Sequence, residues 1–139
     1  DRSKVKRVIY CVGKVYHELD ERRVARDQRD TAILRVEQMY PLHTELLKEL
    51  DERYPEKAER VFVQEETYNA GAYQFLVDMI ETKLGWQRWQ YIGRQRSSTP
   101  ATGSKSQHKI EQEQILTKAI GPKPESDPKK NKKVAAARA

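Results

Sequence analysis

The sequence predicts an α/β domain of three layers, a largely parallel (mixed) sheet of four to five strands with helices on both faces. Three observations predict it. Short β-branched runs alternate along the chain with segments of helical period. Those runs are too continuous in apolar residues for a sheet with one face open to water. The 139 residues, 37% of them hydrophobic, suffice for one ordinary core rather than two.

The first run, Arg7-Val8-Ile9-Tyr10-Cys11-Val12-Gly13, reads as a buried strand delivered into a turn at the glycine. Val15, Tyr16 and Leu19 give the next segment one apolar helical face, after which the charged stretch from Glu18 to Asp30 predicts a solvated helix end and loop. Thr31 to Glu37 is the second strand, and Tyr40-Pro41 bars helix until the proline has passed. Leu46, Leu47, Leu50 and Tyr54 then share a helical face, with Thr44 as the expected N-cap and Tyr54-Pro55 as the stop. Arg60 to Glu66 is the third strand. Ala72, Phe75, Leu76, Met79, Ile80 and Lys83 recur at helical spacing, and Gly85 ends that helix. Arg88 to Gly93 alternates as a fourth strand does, a loop rich in Ser, Thr, Pro and Gly runs from Arg94 to Ser106, and a last helix is expected over about Gln107 to Ile120. The domain so defined is residues 1–121. The remaining 122–139 form a basic tail with no aromatic residue, expected to be disordered or only locally helical.

The net charge of +6 is unevenly placed. The tail holds six basic residues against two acids, and residues 94–109 hold Arg94, Arg96, Lys105 and Lys109 with no acid, so the basic signal is two local patches rather than a basic domain. No apolar run approaches the length of a membrane span, and Asp1 to Lys6 lack the apolar stretch of a signal peptide. A single cysteine, Cys11, excludes a disulfide framework and fits a reducing compartment, and its position in an apolar strand makes it a core residue rather than a nucleophile. The chain is expected to be soluble and cytoplasmic, or in the mitochondrial matrix if its source is eukaryotic.

No G-x-G-x-x-G, P-loop, G-x-S-x-G or paired-histidine motif is present, and His17, His43 and His108 fall on different elements, so no catalytic, cofactor-binding or metal-ligating residue is predicted. Two places invite a functional reading. Glu65 and Glu66 close a strand, with Tyr68, Asn69 and Gly71 following. They are either solvated carboxylates beside a helix capped by Asn69, with Gly71 allowing close packing, or an interface for a subunit or domain. The loop holding Arg94, Arg96, Ser97 and Lys105 offers guanidinium groups, hydroxyls and free amides before a helix N-terminus, the groups that hold a phosphate or carboxylate. The plainer reading is an ordered connection whose charges face water or a partner subunit.

Taken together, Cys11-Val12-Gly13-Lys14-Val15-Tyr16, then Arg35-Val36-Glu37-Gln38-Met39-Tyr40-Pro41-Leu42, then Gln64-Glu65-Glu66 with Asn69-Ala70-Gly71-Ala72, then Tyr91-Ile92-Gly93-Arg94, and Pro100-Ala101-Thr102-Gly103 with His108 form a series. In order and spacing it resembles the C-terminal end of the thiamine-dependent decarboxylating component of 2-oxoglutarate dehydrogenase, across about residues 7 to 120. The resemblance implies a transketolase C-terminal-domain-like fold in a homodimer within a multienzyme complex of the tricarboxylic acid cycle. It implies that thiamine diphosphate and Mg2+ belong to the preceding domains of the parent chain, so this domain alone binds neither and is inactive. It implies an oxidoreductase that decarboxylates 2-oxoglutarate and passes succinyl to a lipoyl-bearing succinyltransferase component, with acetyl-CoA or a nucleotide as effector near the Arg94 to Lys105 loop. The contrasting expectation is a non-catalytic module that binds nucleic acid or another polyanion through the basic loop and tail.

Overall fold

The computed structural model describes residues 1–98 and 103–125. Four strands, β1 (Arg7–Cys11), β2 (Thr31–Arg35), β3 (Glu59–Thr67) and β4 (Gln90–Arg94), alternate with α1 (Val15–Ala25), α2 (Thr44–Asp51), α3 (Tyr73–Leu84) and α4 (Lys105–Ala119). The strands are all parallel in the order β2-β1-β3-β4.

Period-two alternation decides which layer each strand residue joins. Val8, Tyr10 and Phe62 meet Leu47 of α2 and Tyr73, Leu76, Val77 and Ile80 of α3 on one face. Ile9, Cys11, Val61 and Val63 meet Val15 and Leu19 of α1 and Ile115, Leu116 and Ala119 of α4 on the other. Both faces are therefore covered, which is why β1 and β3 read as unbroken apolar runs. On the α2 and α3 side, Tyr10 stacks on Trp89 with centroids 4.0 Å apart. Tyr10 also donates its phenol to Asp51, which Arg60 holds at 3.1 and 3.2 Å while donating to three carbonyls beyond α2. Burial first, and that hydrogen bond second, push the Tyr10 phenol far above its ordinary range.

Several local expectations are corrected. The charged stretch after Glu18 stays helical to Ala25, because Arg22 continues the Val15 and Leu19 stripe, is 8% exposed, and pairs with Glu113 at 2.9 and 2.7 Å. The N-cap of α2 is His43, whose Nδ1 accepts from the Leu46 amide at 3.0 Å, and Thr44 is already helical. Leu46 is largely exposed and Leu47 carries the packing. In α3 the buried stripe is Tyr73, Leu76, Val77 and Ile80, so Phe75 faces outward at 39% exposure. Gly85 does end α3, in the left-handed conformation at φ 66°. Asn69 caps no helix, since Ala72 is the N-cap residue of α3. The last helix begins two residues earlier than expected, capped by the Ser104 hydroxyl. No helix among the described residues is long and apolar enough to cross a membrane. Residues 126–139 of the predicted tail, and Thr99 to Thr102 of the loop, lie outside the described residues.

Candidate functional site

In this topology the chain order reverses between β1 and β3, and the crevice outside the carboxyl ends of those strands is where parallel α/β sheets place ligands. Here a side chain from α4 bridges that crevice. Gln112, 9% exposed, donates its amide to Glu18 of α1 at 3.3 Å and to Glu65 of β3 at 2.9 Å. Its own oxygen accepts from Arg94 at 3.2 Å. The switch point is thus bridged by a polar cross-link of four elements, α1, β3, β4 and α4.

Arg94 is the centre of the surrounding cluster. Its guanidinium donates to the Glu65 carbonyl, to the Glu111 carboxylate at 2.9 Å and to Gln112, and lies 3.2 Å from the His108 Nδ1, with the side chain 9% exposed. Gln64 does similar work at the β3–α3 turn. Its buried amide donates to the Thr67 carbonyl at 2.9 Å and accepts from the Tyr73 N–H at 3.1 Å, so the turn and the start of α3 are fixed to one side chain. The amide lies across Gly71, where a Cβ would stand 2.3 Å from Gln64 Oε1. Gly93 is equally constrained, with a Cβ meeting the Tyr91 hydroxyl at 2.4 Å. Tyr91 donates that hydroxyl to the Arg94 carbonyl at 2.6 Å, and burial pushes its phenol up to about 12.

The residues singled out by sequence meet here in part. Asn69 and Ser97 are brought together: the Asn69 oxygen accepts from the Ser97 N–H at 3.1 Å and its amide donates to the Ser97 carbonyl at 3.0 Å. Arg96, exposed, lies over the Tyr68 ring at 5.5 Å, and Tyr68 packs edge-on against Tyr91. Glu65 is half-buried in the cluster while Glu66 faces solvent. Lys105 is exposed at the first residue of α4. Arg94 therefore holds the protein together, and Arg96, Ser97 and Lys105 remain at the surface or near it. Alongside lies a cleft of about 810 Å3 whose lining includes Thr67, Ile92, Arg96, Ser97, Gln107 and Lys118.

Sequence reasoning missed Gln112 and Thr67. Gln112 had a signal, since it sits three and four residues before Ile115 and Leu116 on the buried stripe of α4. The buried Thr67 hydroxyl, without a hydrogen-bond partner among the described residues, had none.

Cys11 is fully buried and its thiol is pushed up to about 12 by desolvation, which removes it as a nucleophile near neutrality. Among the described residues no group of three or more His, Cys, Asp or Glu side chains is placed to hold a metal ion. Glu65, Glu111 and Glu113 are bound to Gln112, Arg94 and Arg22 respectively. Such a donor set does not fit a magnesium diphosphate.

Fold and cluster together define a doubly wound α/β domain whose carboxyl-end polar groups are hydrogen-bonded to one another across α1, β3, β4 and α4. The chain matches the family described as 2-oxoglutarate dehydrogenase C-terminal over residues 1–120. It is 42% identical over 120 residues to the 2-oxoglutarate dehydrogenase E1 component of Cupriavidus necator, covering 85% of this chain and 12% of that protein. It is 39% identical over 121 residues to the E1 component of Haemophilus influenzae, covering 86% and 13%. Against the Rickettsia felis E1 component it is 35% identical over 125 residues, covering 87% and 13%. The chain belongs to the 2-oxoglutarate dehydrogenase C-terminal family, and it spans about one eighth of the length of these curated relatives.

Proposed function

We propose that the chain serves as the C-terminal assembly domain of an E1-type enzyme. That enzyme oxidatively decarboxylates 2-oxoglutarate and transfers succinyl to a lipoyl group on a partner component. In this reading thiamine diphosphate and Mg2+ are held by preceding domains and supply the electron sink for decarboxylation. The enzyme works as a homodimer, and its compartment is the cytoplasm or mitochondrial matrix. The single observation that carries the reading is the closed switch point: Gln112, Arg94, Glu65 and Glu111 occupy one another where a free-standing α/β enzyme keeps a ligand crevice. Glu66, Tyr68 and Asn69 then fall at the edge of that cluster, where a neighbouring domain or subunit would pack.

The test is to assay 2-oxoglutarate-dependent reduction of an artificial electron acceptor, with thiamine diphosphate and Mg2+, for the product of the whole open reading frame and for the 139-residue chain. Activity in the former and none in the latter is expected. Turnover by the chain alone would overturn the reading, as would an inactive whole product. Within the same reading, Arg96, Ser97 and Lys105 form the contact surface for an anionic effector of the acetyl-CoA or nucleotide type, with Arg94 positioning the loop from inside. Unchanged acetyl-CoA activation in an Arg96→Ala, Lys105→Ala enzyme would remove that role.

A further inference from the structure

The cleft beside β4 has features that cohesion of the domain does not use. β4 pairs with β3 on one side and is the last strand of the sheet among the described residues. Every second residue of an edge strand turns its N–H and C=O away from its partner, so β4 presents a row of backbone groups outward. The cleft follows that strand: Ile92, Gly93 and Arg94 line it from the sheet, and α4 lines it from Gln107 to Lys118. Over that stretch the helix rises about 16 Å, the length of about five residues of extended chain. That matches the five residues of β4.

The charges along this cleft are unevenly matched. Glu111 is held by Arg94, and Glu113 by Arg22. Arg96 near the carboxyl end of β4 contacts an aromatic ring rather than an acid, and Lys118, exposed near the far end of α4, belongs to no ion pair among the described residues. Ile92 and Ile115 lie between them on the lining. The arrangement is a strand edge with an apolar middle and a cation toward each end.

We propose that this edge docks an extended, acidic segment of a partner protein as a fifth strand beside β4, with carboxylates at both ends of about five β-branched residues. Main-chain hydrogen bonds to β4 supply the pairing, Ile92 and Ile115 accept the inward side chains, and Arg96 and Lys118 select for acidic flanks. The inference shares Arg96 with the effector reading but rests on Lys118 and the β4 backbone, which take no part in that surface.

The experiment is a two-dimensional amide NMR titration of the 139-residue chain with the peptide Asp-Asp-Val-Thr-Val-Thr-Val-Asp-Asp. Two controls are a version with lysine at the four acidic positions and one N-methylated at alternate amides. The acidic peptide is expected to saturate, shifting amides of Gln90 to Arg94 and of the Gln107 to Lys118 face, with both controls binding at least ten-fold more weakly. Lys118→Glu, an exposed change, should weaken the acidic peptide about five-fold, an effect lost at high salt. The proposal is overturned by absence of saturable binding, by equal binding of either control, or by shifts that leave β4 untouched. Sedimentation showing a dimer of the chain whose β4 amides are protected without peptide would overturn it too, assigning the edge to a second copy.

Discussion

Gln64, Gly71 and Arg94 show how single residues in recognisable motifs act through packing. The Gln64 amide needs an empty position above it, and Gly71 supplies one. Gly71→Ala forces that amide or the turn to move, and we expect a loss of about 1–3 kcal/mol. In urea denaturation the midpoint falls without a change in slope. Gly103, where an added methyl would meet nothing within 4 Å and the backbone is not left-handed, is the internal comparison, and Gly103→Ala should leave the midpoint nearly in place. Equal effects at the two sites would remove the role given to Gln64. Arg94→Lys keeps the charge but loses the fork that reaches Glu111, Gln112 and the Glu65 carbonyl together, so it should cost nearly as much as Arg94→Met, about 1.5–3 kcal/mol. Full retention of stability by the lysine variant would show that charge alone suffices.

At the scale of elements, α3 and the β3–β4 pair carry the sharpest expectations. Leu76→Ala removes a fully buried side chain and should cost about 2–5 kcal/mol, whereas Phe75→Ala, at a largely outward position, should cost well under half as much. Comparable losses at the two positions in thermal unfolding would mean that the stripe read from sequence periodicity, which holds both residues, is the true one. Tyr91 ties β4 to its own exit, and its phenol is held up to about 12 by burial. A raised pKa in the folded state means the contribution is intact below the unfolded value near 10 and falls away as pH rises through about 12. Stability should therefore drop across that alkaline window, less steeply in Tyr91→Phe. An unchanged slope in the variant would show that Tyr91 does not titrate with unfolding.

Much of this level was legible in the sequence, because β1 and β3 are buried on both faces and leave unbroken apolar runs. Less legible were α1 and the α2 cap. The second half of α1 is stabilised by Arg22 reaching Glu113 ninety-one residues away, and no local pattern records such a partner. His43 displaced Thr44 because an imidazole nitrogen can accept from a helix amide as a hydroxyl can.

Over the whole molecule, sequence reading found the layers and the motifs but not what the motifs do. It left Arg94 among loop groups facing an anion, water or a partner, whereas the guanidinium is 9% exposed and points into the cluster with Glu111. The reason is topological. Residues on β3, β4, α1 and α4 converge at the switch point only after three crossovers, so no window of sequence contains them together. The resulting domain closes its own crevice and leaves outward the loop, the β4 edge and the Glu66 to Asn69 turn.

The central claim is that the carboxyl-end cluster holds this domain together and takes no part in turnover. It is tested most directly by kcat for 2-oxoglutarate in the intact enzyme carrying Glu65→Leu, read beside its unfolding temperature. Loss of the carboxylate that accepts from Gln112 should lower the unfolding temperature by several degrees while kcat stays within about two-fold of the parent. A fall in kcat of about a hundred-fold or more, with the unfolding temperature unchanged, would contradict the account.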